Sequence, residues 1–136
     1  MSSLYAFLHP VKPEEYKEVY ISDRFKDEQG NVVYFKVRAL TQEENDNLLK
    51  KSRRYIKTNG KSQEILDQIA YARRIVVAAT VYPDFSSTEL CDAYGVIDPL
   101  LVPAKMLLTG EFNKLSEAII QMSAIEEEET DESLKN

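Results

Sequence analysis

The chain has 136 residues, 43% of them hydrophobic, which is enough for one packed core and too little for two. Its 23 acidic and 17 basic residues leave a net charge of −6, excluding a surface built mainly for nucleic-acid phosphates. A single cysteine, Cys91, rules out an internal disulfide and fits a reducing cytosol.

In chain order, residues 3–13 contain Pro10 and Pro13 and read as an irregular segment. The opening residues carry no basic stretch followed by a long apolar run, so no signal peptide is expected. Residues 16–21 and 32–38 are rich in β-branched and aromatic side chains, with Asp27-Glu28-Gln29-Gly30-Asn31 between them as turn chemistry. They predict a β-hairpin with Val33, Phe35 and Val37 on one face. Thr41-Gln42-Glu43-Glu44 has the form of a capping box. The helix it opens is expected to run to about Lys57, where Thr58-Asn59-Gly60 supplies a stop.

Ser62 is placed to cap a second helix over residues 63–80. Its stripe of Ile65, Leu66, Ile69, Ala72, Ile75, Val76 and Ala79, widened by Val77 and Ala78, marks a buried central element that Pro83 ends. The apolar run at residues 75–81 is far too short to span a bilayer, so no membrane partner is expected. A short helix opens at Ser87-Thr88-Glu89-Leu90 and closes at Gly95. Asp98-Pro99 looks like an N-cap with proline at the first helical position, with ordered helix from near Pro103 to Gly110. A last helix, residues 111–125, spaces Phe112, Leu115, Ile119 and Met122 by three and four. Residues 126–136 hold clustered carboxylates and almost nothing to bury, so a disordered acidic tail is expected. The fold class is therefore α+β: an N-terminal hairpin region (residues 1–40), four to five helices (41–126), and the tail (127–136), with one domain over residues 1–126.

No reaction chemistry stands out. His9 is the only histidine, and one histidine with one cysteine falls short of the clustered ligands of a zinc site. Cys91 reads as a small buried hydrophobe. The four glycines fall singly at turns or caps rather than in a phosphate-binding loop. The carboxylate pairs look like helix-start charges favoured by the dipole. No catalytic residue, cofactor or metal is expected. One basic cluster, Lys50, Lys51, Arg53, Arg54 and Lys57 with Tyr55 among them, could face nucleic acid. The competing reading is cations matched to the C-terminal half of a helix, and nucleic acid is not expected as a partner.

Three stretches decide between bland readings: Val81-Tyr82-Pro83-Asp84-Phe85; Leu90-Cys91-Asp92-Ala93-Tyr94-Gly95-Val96-Ile97-Asp98-Pro99; and Lys105-Met106-Leu107-Leu108-Thr109-Gly110-Glu111-Phe112. Together with Val37-Arg38-Ala39-Leu40 before the capping box, they resemble the XkdN-like family of phage tail assembly chaperones. The resemblance implies a non-enzymatic protein of the bacterial host cytoplasm that binds the tape measure protein and keeps it soluble while the tail is built. It also implies a longer form made by ribosomal frameshift, and Lys135-Asn136 can be encoded by a slip-prone run. A homo-oligomer is compatible with this role. Met106, Leu107, Phe112, Ile119 and Met122 are the candidate lining of a client groove. The alternatives are a tail-completion or head–tail connector component of the virion and, third, a nucleic-acid-binding regulator using the basic cluster.

Overall fold

The computed structural model describes residues 4–125. Its elements are α1 (Tyr5–Leu8), β1 (Lys17–Val19), β2 (Phe35–Val37), α2 (Gln42–Lys51), β3 (Arg53–Thr58), β4 (Lys61–Leu66), α3 (Gln68–Ala79), β5 (Thr80–Tyr82), α4 (Thr88–Ala93), α5 (Val102–Met106) and α6 (Thr109–Ser123), with a 3-10 turn at Pro99–Leu101. Helices and antiparallel sheets make this an α+β fold.

The expected N-terminal pairing is present: β1 runs antiparallel to β2, with Lys17 opposite Val37 and Val19 opposite Phe35. Phe35 and Val37 are buried, and Val33 is half-buried. A third strand, unanticipated from the sequence, completes the sheet. β5 joins the free edge of β2, placing Lys36 opposite Tyr82 across a bulge. Residues 80–82 carry only three side chains, too few for a periodic signal, yet pairing them satisfies a sheet edge that would otherwise stay open.

One hydrophobic cluster draws Phe35 and Val37 from the sheet, Ile75, Val76 and Ala79 from α3, Phe85, Cys91 and Val102 from the segment between β5 and α6, and Leu115 and Ile119 from α6. Burying these side chains is the main stabilising term. Thr41 and Glu44 form the predicted capping box, at 3.2 Å (Glu44 N–H to Thr41 Oγ1) and 3.1 Å (Thr41 N–H to Glu44 Oε1). Arg38 grips the same carboxylate at 2.6 Å and 3.0 Å. That guanidinium, with the Thr41 backbone, holds the Glu44 carboxyl down at about 2.

Three expectations need correction. The first helix stops at Lys51, not Lys57, and residues 53–66 form a second hairpin in which β3 pairs β4 from Arg53 opposite Leu66 to Thr58 opposite Lys61. Asn59 and Gly60 both have positive φ, 55° and 77°, the geometry of a two-residue hairpin turn that Asn-Gly strongly favours. That turn overrides the helical reading on both sides of it. Accordingly α3 begins at Gln68, capped by Asp67 through a 3.1 Å bond from the Ala70 N–H rather than by Ser62. Burial is confined to its C-terminal half, and Ile69 is exposed. Finally, α5 ends at Met106, and Gly110 lies inside α6 rather than ending a helix. Residues 4–13, expected to be irregular, include the single turn α1, which buries no side chain. The acidic tail lies outside the described residues.

Candidate functional site: an apolar cavity and a cationic hairpin

The N-terminal half of α3 stands apart from α5 and the start of α6, leaving an open cavity of about 390 Å³. Ile69, Ala72, Pro103, Ala104, Leu107 and Phe112 give it an apolar lining, with Gln68, Arg73, Thr109 and Asn113 supplying polar groups. Ile69 is 66% exposed at its edge. Solvent-exposed apolar side chains around a concave surface are the usual mark of a protein-binding site. A second run of exposed apolar residues, including Tyr5, Phe7, Leu8 and Val11, lies in the N-terminal arm.

The five residues proposed for a groove divide. Leu107 and Phe112 line this cavity. Ile119 is wholly enclosed in the core, and Met106 and Met122 are half-buried against it, so the five do not form one continuous face. Sequence reasoning missed Ala104 and Pro103, which carry no apolar signal of their own. It did identify Ile69 and Ala72, but as core, because helical periodicity cannot tell a buried stripe from an open one.

The wall formed by α5 and α6 is fixed by a charged clamp. Glu111, 7% exposed, accepts hydrogen bonds from Arg24 Nη2 at 2.6 Å, Arg24 Nε at 2.9 Å and Ser22 Oγ at 2.6 Å. Its carboxylate also accepts the Leu108 N–H at 2.8 Å. This is one half of a capping box, since a leucine at the N-cap has no side-chain oxygen to complete the other half. Arg24 Nη2 also donates to the Met106 carbonyl at 3.1 Å, so one side chain ties the loop before β2 to both helices. Arg24, then Ser22 and the Leu108 N–H, hold the Glu111 carboxyl at about 2. The Glu of Leu107-Leu108-Thr109-Gly110-Glu111 thus acts mechanically, closing the turn between α5 and α6. The available signal was a glutamate three residues into a helix; its partner Arg24, 87 residues away, left none.

Comparison with known proteins places this architecture. The family model described as phage XkdN-like tail assembly chaperone protein matches residues 4–135. This chain belongs to that family. It is 34% identical over 138 aligned positions to the phage-like element PBSX protein XkdN of Bacillus subtilis (strain 168), covering 96% of this chain and 93% of that one. It is 39% identical over 124 positions to the protein YqbN of the same organism, covering 88% and 83% respectively. The crystal structure of YqbN superimposes with a TM-score of 0.75 at 33% identity, covering 93% of this chain and 99% of the other.

In this chaperone the basic residues do not share one helix face. Lys50 and Lys51 end α2, whereas Arg53, Arg54 and Lys57 lie on β3, where alternation sends Arg53, Tyr55 and Lys57 to one side and Arg54 to the other. Arg54 is tied to Asp67 at 3.5 Å. The hairpin is anchored at its base by the Asp67 N–H donating to the Ser52 carbonyl at 2.8 Å. Beyond that base it projects, with Tyr55 74% exposed. Cys91 is buried, with Sγ 3.6 Å from the Phe85 carbonyl oxygen, and His9 is exposed in the arm, stacked on Tyr5. Among the described residues no group of three or more His, Cys, Asp or Glu side chains is arranged to hold a metal, and no helix is long and apolar enough to cross a membrane.

Proposed function

We propose that this tail assembly chaperone binds the tape measure protein in the host cytoplasm and keeps it soluble until the tail is built. The cavity between α3, α5 and α6 receives an apolar face of a client helix. The observation that carries this reading is the cavity itself: about 390 Å³ lined by Ile69, Ala72, Pro103, Ala104, Leu107 and Phe112, open at the surface and braced by Glu111. An amphipathic helix uses such a groove by inserting side chains three and four residues apart. The exposed arm side chains Tyr5, Phe7 and Leu8 offer a second apolar contact. A longer frameshifted form and a homo-oligomer belong to the same reading, because either would multiply client sites on one assembly.

The test is co-expression with the tape measure protein of the same phage, followed by affinity capture and a comparison of soluble yields. The wild-type chain is expected to solubilise and retain the client. Ile69→Glu places a charge at the cavity edge without disturbing the core, and is expected to lower client recovery about tenfold, or roughly 1.4 kcal/mol. Client that stays insoluble with the wild-type chain, together with this chain in purified particles by mass spectrometry, would instead favour a tail-completion or connector role.

A further inference from the structure

The hairpin β3–β4 has no place in the cavity, and its chemistry is unlike that of the rest of the chain. Residues 50–61 contain Lys50, Lys51, Arg53, Arg54, Lys57 and Lys61 and no carboxylate, in a protein of net charge −6, and the one carboxylate within β3 and β4 is Glu64, opposite Tyr55. All six cations are exposed. Among the described residues an ion pair holds Arg54, and none holds Arg53, Lys57 or Lys61. A solvated strand pair of this charge attracts a polyanion.

The same chain carries one. Residues 126–132 contain six carboxylates, Glu126, Glu127, Glu128, Glu129, Asp131 and Glu132, and no cation. We propose that this acidic segment docks in cis on the cationic hairpin, covering Lys50, Lys51 and the Arg53–Lys57 side of β3.

Geometry and charge both support the match. The described chain ends at Ile125, which lines a surface cavity with Leu40, Thr41, Gln42 and Asn45 at the start of α2. The Leu40 N–H donates to Ser123 Oγ at 2.9 Å, fixing the end of α6 there. From that point α2 leads ten residues to Lys51, a rise of about 15 Å. The eleven residues 126–136 span up to about 36 Å when extended, enough to pass along α2 and reach well up the hairpin. Glu43, Glu44 and Asp46 lie on the first half of α2 and repel the segment where it starts, whereas the cations lie at the far end. The six carboxylates of the segment thus outnumber the four cations on the covered side, Lys50, Lys51, Arg53 and Lys57, at a distance the chain can cover. Because the contact is made by exposed charges, it is strong at low salt and fades as the Debye length shrinks from about 10 Å at 0.1 M to about 3 Å at 1 M. Docked, the segment keeps the hairpin from nonspecific capture by cellular nucleic acid.

Carbodiimide cross-linking of the full chain, mapped by mass spectrometry, tests this directly. Carboxylates of residues 126–132 are expected to link to Lys50, Lys51 and Lys57, with yields falling at least fivefold at 1 M salt. A mixture of isotopically light and heavy chains is expected to give links within one chain only. Links spread evenly onto Lys12, Lys17, Lys105 and Lys114 would overturn the proposal, and mixed-isotope links would overturn docking in cis. A second measurement uses a fluorescent single-stranded oligonucleotide at low salt. Truncation after Ile125 is expected to tighten its binding about tenfold, and Lys51→Glu with Lys57→Glu in the truncated chain to reverse that gain. Equally tight binding by full and truncated chains would mean that the hairpin is free to meet nucleic acid, and the proposal fails. Neither readout depends on a client protein.

Discussion

The sheet β1–β2–β5 is built from strands of three residues, yet it carries Phe35, Val37 and Thr80 into the interior. The hairpin β3–β4 has strands of six residues in unbroken register and buries none of its side chains completely. Regular hydrogen bonding and structural importance are therefore separate properties in this molecule. The short strands matter because helices cover them; the long ones are held by their turn and by the anchor at Ser52 and Asp67, with only Ile56, Ile65 and Leu66 half-buried. A sheet bonded only to itself is marginal in water, so the hairpin depends on the body for its base while contributing little in return.

The sharpest test of this contrast is in the core. Phe35→Ala is expected to cost about 3–5 kcal/mol by the loss of a wholly buried ring, read as a large drop in the urea midpoint. A loss under about 1 kcal/mol would show that the sheet is not the stabilising element. Next comes the clamp. Glu111→Ala removes a buried acceptor and leaves its donors unpaired, at a cost of about 2 kcal/mol. Glu111 and Glu44 both have carboxyls lowered from 4.5 to about 2 in the folded chain. The unfolded chain therefore binds protons first as the pH falls, so their stabilisation is complete above the ordinary carboxylate range and is lost between about 4.5 and about 2. Glu111→Gln is expected to flatten the fall of melting temperature across that window without abolishing it, because Glu44 still contributes.

A smaller effect is expected at the hairpin turn. Gly60 has φ +77°, and a Cβ there would meet nothing within 4 Å, so Gly60→Ala carries only the conformational cost of the left-handed region, about 1 kcal/mol. Amide exchange is expected to quicken across residues 53–66 while the global melting temperature barely moves. Equal acceleration in α3 and α6 would show the two regions to be coupled. Smallest of all, Tyr55→Ala is expected to shift stability by less than about 0.5 kcal/mol, the counterpart of Phe35→Ala on the other sheet.

Much of the body was legible because its signals are local. The capping box at Thr41, the left-handed stop at Gly95, whose φ is 66°, the Asp98 cap and the spacing of Phe112, Leu115 and Ile119 each depend on a few adjacent residues. The hairpin was misread although its strongest signal, Asn59-Gly60, was in view: the same pair ends helices and turns hairpins, and the lysines and arginines before it favoured a helical reading. The third strand, the Arg24–Glu111 clamp and the open half of α3 were illegible for another reason. Each is defined by a partner far along the chain, and no pattern in one segment reveals which distant segment will cover it. The cavity followed suit: Leu107 and Phe112 were found as apolar residues, but the space between them and Ile69 is a property of packing.

The ties that close the body join distant parts of the chain: Lys36 to Tyr82, Arg24 to Glu111, and Leu40 to Ser123. The hairpin, by contrast, is complete within residues 53–66. As the chain leaves the ribosome the hairpin can close early, while Phe35 and Val37 wait for partners on α3 and β5 and, later still, on α6, the situation in which nascent chains are most prone to aggregate. The last described contacts are made by Ser123 and Ile125, so the body is closed by residues at the end of α6 and just beyond it.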